Sequence, residues 1–232
     1  MNRERISLPL SKGPLEDTTA IWERPESMSQ GAVLLANGAG FGLEAPTMEA
    51  IAHGLVARGH GVLRFNYPYK ERQARGESQR PPDRRPILEH VHERAAGKLA
   101  ELAPDARVLF AGKSMGGRIA SHIAAQGVPC DGLVFFGFPL HAPGKPGIAR
   151  AEHFAALAQP ALFLQGTRDA LCRLELLSEA LERYGGRATV EVLEGADHGF
   201  HVPKKSGRTD AQVLEDMLDR VVRWERDTWP PA

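Results

Sequence analysis

The chain has only two cysteines in 232 residues, Cys130 and Cys172, too few for a disulfide framework or a cysteine-based zinc site. Free thiols in a reducing compartment are the simplest expectation, and with them a cytoplasmic location. Neither sign of charge is in excess: Lys plus Arg and Asp plus Glu both number 29. That balance argues against a dedicated nucleic-acid binder, whose footprint is strongly basic. No apolar run approaches the ~18 residues a bilayer span needs; Ala32–Ala36 and Leu133–Phe136 are among the longest. The opening stretch MNRERISLPLSKGPLED lacks the apolar segment and small-residue cleavage site of a secretory signal. Neither a membrane nor nucleic acid is therefore expected as a partner.

What is present suits a folded domain. Hydrophobic residues make up 42% and charged residues 25%, the profile of an ordinary globular protein. A chain of this length buries roughly 70% of its unfolded surface, so its core needs no metal or disulfide. Short apolar runs recur at 31–36, 61–66, 107–111, 132–136, 161–165 and 189–193. Their near-continuous hydrophobicity predicts parallel strands covered on both faces. Helical patterns fill the gaps, at 46–58, 86–102, 115–126, 150–157, 172–184 and 209–227. Ile119, Ala120, Ile123 and Ala124 form one apolar stripe, and Gly127 with Pro129 ends it. Residues 3–10 and 18–24 fit a leading antiparallel pair. This alternation predicts one domain over 1–232, an α/β fold with a doubly wound, mostly parallel sheet and helices on both faces.

The sharpest motif is Gly112-Lys113-Ser114-Met115-Gly116, a G-x-S-x-G match. A serine on a tight strand-to-helix turn is held in a strained backbone conformation that lifts its hydroxyl out of the sheet. Glycines two positions to either side let strand and helix pass closely. The apolar run Val108–Ala111 before it and the striped helix after it supply that context. Gly112-Lys113-Ser114 also ends like a phosphate-binding loop, but position 107, where its first glycine belongs, is Arg107.

A nucleophilic serine needs a base and an orienting acid, in the chain order Ser, Asp/Glu, His for this fold class. His198 lies in Gly195-Ala196-Asp197-His198-Gly199-Phe200, after the last strand, at the carboxyl edge where open α/β sheets bind ligands. His201 is the fallback. Residues 137–151 contain no Asp or Glu, whereas Gly166-Thr167-Arg168-Asp169 follows the next strand, so Asp169 is the expected acid. An Asp in such a turn also serves often as a helix cap. Oxyanion stabilisation calls for two backbone N–H groups. Met115 follows the nucleophile, and Ala39 lies in Asn37-Gly38-Ala39-Gly40 after the first parallel strand.

These segments together resemble an α/β-hydrolase. More narrowly the chain is similar to the small uncapped serine hydrolases grouped as KANL/Tex-like and related to dienelactone hydrolases. The resemblance rests on AVLLANGAG, RFNYPYKERQ, RPPDR, AGKSMGGR, FFGFPLHAPGKP, FLQGTRD and GADHGFHVPKKSG, which cover most of 31–207. It implies Ser114 as nucleophile, Asp169 as acid and His198 as base, with no cofactor, no metal and no cap domain. Asn37 departs from the His such hydrolases more often carry there. Dienelactone hydrolases proper use a cysteine at the elbow, and Ser114 moves the expectation toward esterase chemistry on a small acyl substrate. The alternatives are a catalytically idle fold serving as an interaction scaffold, or a thioesterase or acyltransferase.

Asn37, Tyr67 and His141 are expected to contact substrate from the same edge. His90 and His92 sit at i, i+2, on different helix faces, and are expected to be solvated rather than to share a metal. Cys172 is expected to be an inert thiol. Residues 67–86 have no apolar period and read as a charged loop. Between Lys70 and Arg85 the basic residues Lys70, Arg72, Arg75, Arg80, Arg84 and Arg85 outnumber Glu71, Glu77 and Asp83. That excess suggests a mobile basic rim favouring anionic substrates.

Overall fold

The apolar runs become strands because a central parallel strand has side chains against helices on both of its faces. In the computed structural model, which describes residues 1–230, they form one eight-stranded sheet. The strands are β1 (Asn2–Pro9), β2 (Asp17–Arg24), β3 (Gly31–Ala36), β4 (His60–Phe65), β5 (Val108–Lys113), β6 (Gly132–Phe136), β7 (Ala161–Gly166) and β8 (Ala188–Leu193). Their order across the sheet is β1-β2-β4-β3-β5-β6-β7-β8. β1, β2 and β4 pair antiparallel, and every pair from β4 onward is parallel. The leading antiparallel pair and the doubly wound sheet are as the sequence predicts.

The helices are α1 (Pro46–Ala57), α2 (Pro68–Ala74), α3 (Arg85–Leu102), α4 (Met115–Ala125), α5 (Leu174–Leu181) and α6 (Asp210–Thr228). Along β3 every residue is buried, and the period-two alternation divides them between two cores. Ala32, Leu34 and Ala36 join α3, α4 and α5 through Leu88, Val91, Ile119, Ile123 and Leu177. Val33 and Leu35 join α1 and α6 through Ile51, Leu55, Val213 and Met217. No cap interrupts the sheet: residues 137–148 connect β6 to the next segment.

Three expectations need correction. The stretch 150–157 is a 3₁₀ segment, Ala149–Ala156, rather than an α-helix. The supposed loop 67–86 opens with α2, started by Pro68, whose missing N–H costs nothing at a first helical turn. Its Glu71 is buried and accepts from Thr19, at both the backbone N–H and the hydroxyl, and from the Asn66 amide. These bonds hold the Glu71 carboxyl below the usual carboxylate range against the opposing effect of burial. The basic excess is also largely paired, Arg72 with Glu77, Arg75 with Asp17 and Glu71, and Arg80 with Glu77. Lys70 is buried on the Gly40 carbonyl and Gln73. The chain beyond α2 is tied back where Asp83 accepts from the Tyr69 N–H at 2.8 Å. The third correction is His92, fully buried rather than solvated. It packs edge-on against Phe65, and burial pushes its imidazole down to about 3.

Candidate active site

Strands β3, β5, β6, β7 and β8 end in near register, Ala36 opposite Gly112, Lys113 opposite Phe136 and Gly166 opposite Leu193. The loops leaving those ends therefore share one edge. Ser114 sits there between β5 and α4 with φ 53° and ψ −118°. A non-glycine residue in that region is strained by about 1–3 kcal/mol and persists only where its surroundings enforce it. The glycines do the enforcing. A Cβ at Gly112 would lie 2.2 Å from the Gly117 nitrogen, and one at Gly116 would lie 2.4 Å from the Ala36 oxygen. Strand and helix thus approach to backbone contact on both sides of the serine.

The structure brings Ser114, His198 and Asp169 into one line. His198 Nε2 is 2.8 Å from Ser114 Oγ, and His198 Nδ1 is 2.7 Å from Asp169 Oδ2. An ionised carboxylate only accepts, so Nδ1 carries the hydrogen and Nε2 offers its lone pair to the serine hydroxyl. Asp169 is buried, and Oδ1 accepts from the Leu171 N–H at 2.7 Å. It does not cap α5, whose N-terminal flank Arg173 makes no side-chain cap bond.

His201 turns away from this line. Its Nδ1 lies 2.8 Å from Asp210 Oδ2, and two-thirds of its side chain is exposed. Asp197 caps its own loop, accepting from the Gly199 and His201 N–H groups.

Met115 follows the serine, and the loop that holds Ala39 approaches it through Gly38. A Cβ on neighbouring Gly38 would stand 3.6 Å from Ser114 Cβ. Met115 opens α4, so its N–H has no acceptor within the helix. The Ala39 loop is fixed from behind, where the Tyr69 hydroxyl donates to the Ala39 carbonyl at 3.0 Å. Asn37 is fully buried and donates Nδ2 to the Gly38 and Phe41 carbonyls, shaping this loop rather than facing solvent.

Tyr67 is not at the site. Its ring is in the core and its hydroxyl lies 3.2 Å from His92 Nδ1. His141 is at the edge, but both ring nitrogens are engaged. Nδ1 donates to the Ala142 carbonyl at 3.0 Å and Nε2 accepts from the Arg173 N–H at 3.2 Å. Cys172 is buried, and burial pushes its thiol up to about 12, which leaves no thiolate at neutral pH.

Two polar residues behind the line escape sequence reasoning. Gln165, at the end of β7, is fully buried. Its Nε2 donates to Asp169 Oδ2 at 2.5 Å while Oε1 accepts from the Phe138 N–H at 2.9 Å. Lys113 is the second. Its ammonium donates to the His198 carbonyl and lies 4.8 Å from the Phe200 ring centroid. Burial lowers its pKa to about 8, against the attraction of Asp169 and Asp197. No spacing rule singles out either residue, because their partners are on other elements.

The comparisons with known proteins bear on the fold that carries this geometry. A family model described as an alpha/beta hydrolase domain matches residues 29–226. A dienelactone hydrolase from Anabaena variabilis superposes with a TM-score of 0.72 at 18% identity, covering 94% of this chain and 97% of that one. A putative dienelactone hydrolase from Klebsiella pneumoniae gives 0.72 at 20% identity, over 97% and 98%. A serine hydrolase without a lid from Xanthomonas campestris gives 0.70 at 18%, over 99% and 96%.

Proposed function

The chain belongs to the alpha/beta hydrolase domain family, and from that premise we propose that it is a serine hydrolase cleaving esters or related acyl compounds. The observation that carries the reading is the unbroken hydrogen-bond line from Ser114 through His198 to Asp169. In this mechanism His198 Nε2 takes the hydroxyl proton as Ser114 Oγ attacks the acyl carbonyl. Asp169 keeps the imidazole in the required tautomer and stabilises the imidazolium. The developing oxyanion is received by the Ala39 and Met115 N–H groups, each worth roughly a hundredfold to a thousandfold in rate. His198 then protonates the leaving group, and water releases the acyl group from Ser114 by the same steps reversed.

Gln165 holds the acid and Lys113 holds the base loop, so the line is supported from beneath as well as along its length. The short 137–148 connection leaves the serine without a covering domain, which favours small soluble acyl substrates. A fluorophosphonate probe followed by an ester panel of graded chain length tests the reading. The wild-type protein should label at Ser114 and hydrolyse short esters. Ser114→Ala should not label and should lose about 10³–10⁶ in turnover. A wild-type protein that neither labels nor turns over any ester overturns the proposal.

A further inference from the structure

A second polar site lies beyond the serine, on the face of α4 that meets the start of α3 and the 3₁₀ segment 149–156. The three elements border a half-open cleft of about 390 Å³. Three guanidinium groups line it: Arg85 opening α3, Arg118 on α4 and Arg150 in the 3₁₀ segment. Two imidazoles floor it, His122 and His153, stacked with ring centroids 3.9 Å apart and planes inclined by 28°.

The charges are unevenly matched. Arg85 Nε lies 3.3 Å from Glu89 Oε1, and Glu152 is exposed at the rim. Arg150 donates one Nη1 to the carbonyls of Pro139 and His141, leaving the rest of its fork without a partner among the described residues. Arg118 is half-buried, and its guanidinium has no hydrogen-bond or ion-pair partner among the described residues. Burial lowers the Arg118 pKa and the charges of Arg150 and Arg85 lower it further, outweighing the attraction of Tyr67 and Glu89.

The imidazoles add no compensating charge. Burial pushes His122 down to about 3, with His153, Arg118 and Arg85 adding to the effect, and pushes His153 to about 4, with the two arginines adding. The tautomer of His153 follows from its partner. The Ser121 hydroxyl donates its one hydrogen to the Arg118 carbonyl at 2.7 Å. It must therefore accept from His153 Nε2–H, also at 2.7 Å. His153 Nδ1 is then a free base, held neutral by burial and by the nearby arginines.

We propose that this cleft is a binding site for the oxyanion of a small molecule, a carboxylate or phosphate group, gripped by Arg118 and Arg150 with Arg85 at the rim. The planar guanidinium fork matches two oxygens at once, and such charge-assisted pairs are about twice as strong as neutral hydrogen bonds. An anion also removes the mutual repulsion of the three arginines. Arg118 lies one helical turn past Ser114, its N–H bonded to the Ser114 carbonyl, a rise of about 6 Å along the axis. The anion is either one end of an acyl substrate reaching along α4 from Ser114, a source that rests on the hydrolase reading, or a separate small anion of the same chemistry.

The binding test needs no catalysis, so its failure is distinct from failure of the hydrolase reading. Inorganic phosphate titrated into wild-type protein at pH 7 should move the ring resonances of His122 and His153, saturating in the millimolar range, about 4 kcal/mol of binding. Arg118→Gln and, independently, Arg150→Gln should weaken that saturation about tenfold or more. The source is then read from kinetics. Where the anion is the substrate's own, phosphate competes with an anionic ester, and Arg118→Gln raises KM for that ester at least tenfold while a neutral ester of equal length is unaffected. Where it is separate, phosphate changes turnover of both esters without competing. Imidazole resonances that ignore phosphate at tens of millimolar, or that saturate in both variants at the wild-type phosphate concentration, overturn the proposal.

Discussion

Two imidazole–carboxylate pairs of nearly equal length lie at opposite ends of the sheet, and they differ in what the second ring nitrogen meets. At the carboxyl end His198 Nδ1 is 2.7 Å from Asp169. At the amino end His60, the first residue of β4, has Nε2 2.6 Å from Glu225 Oε2 of α6. The difference is in the other nitrogen. His60 Nδ1 faces the Leu55 carbonyl at 3.1 Å, so both of its ring nitrogens are closed, and the pair is wholly buried. His198 Nε2 meets a hydroxyl, and a quarter of its side chain is exposed. A buried pair joins elements; the His198 pair leaves one ring nitrogen on the hydroxyl of a strained serine, which is the arrangement the proposed mechanism requires.

The comparison breaks most visibly when each acid is removed. Asp169→Asn leaves the shape but favours the wrong His198 tautomer, and it should cost about 10⁴ in turnover. Its denaturant midpoint should change little. Glu225→Ala should do the opposite, because losing one partner of a buried pair costs about 3–5 kcal/mol. Turnover per folded molecule should stay within about twofold of wild type. Parallel urea unfolding and ester kinetics on the two variants check both halves. Equal losses of activity in both would mean that the His198 line has no special role.

Lys113 sharpens the comparison by a smaller amount. Its ammonium fixes the His198 carbonyl from beneath, so Lys113→Met should lower kcat about ten- to a hundredfold through a misplaced base, with little change in KM. The sign of its stability effect is unusual. With a folded-state value of about 8 against an ordinary 10.5, the unfolded chain binds more protons than the folded chain between those two pH values. Stability relative to Lys113→Met should therefore rise from pH 8 toward 10.5 and be lowest below pH 8. A wild-type-minus-variant difference in Tm that falls over that window would contradict the burial of the charge.

The difference between these elements also explains how much could be read in advance. The elbow is legible because its constraints are local: Gly112, Ser114 and Gly116 meet a strand on one side and an apolar-striped helix on the other. The strands are legible because two buried faces demand continuous apolar runs. Helix α2 is not, since its seven residues carry no hydrophobic period and are fixed by Glu71 reaching Thr19 and Asn66. Tyr67 and His92 escape because the Tyr67 hydroxyl and His92 Nδ1 meet across 25 residues of chain. Gln165 and Lys113 lie in plain strand sequence, and only the folded arrangement turns them toward Asp169 and His198.

The smallest effect is expected from a third pair, three residues past His198. His201 Nδ1 and Asp210 Oδ2 are 2.8 Å apart, closer to the triad in sequence than His60 is, yet both side chains are more than half exposed. Asp210 raises the His201 pKa and is itself lowered in return. The attraction therefore exists while His201 is protonated and fades as pH rises through that raised value. Water screens an exposed pair so well that it contributes little at any pH. His201→Ala should leave kcat/KM within about twofold of wild type and its pH profile unchanged, while His198→Ala removes activity. The contrast is informative because both histidines have a carboxylate on Nδ1 and share one loop. What separates them is that His198 Nε2 meets Ser114 and His201 extends into solvent. Measuring both variants on one short ester across pH 5–9 decides it, and a profile that follows His201 instead would transfer the base to that residue.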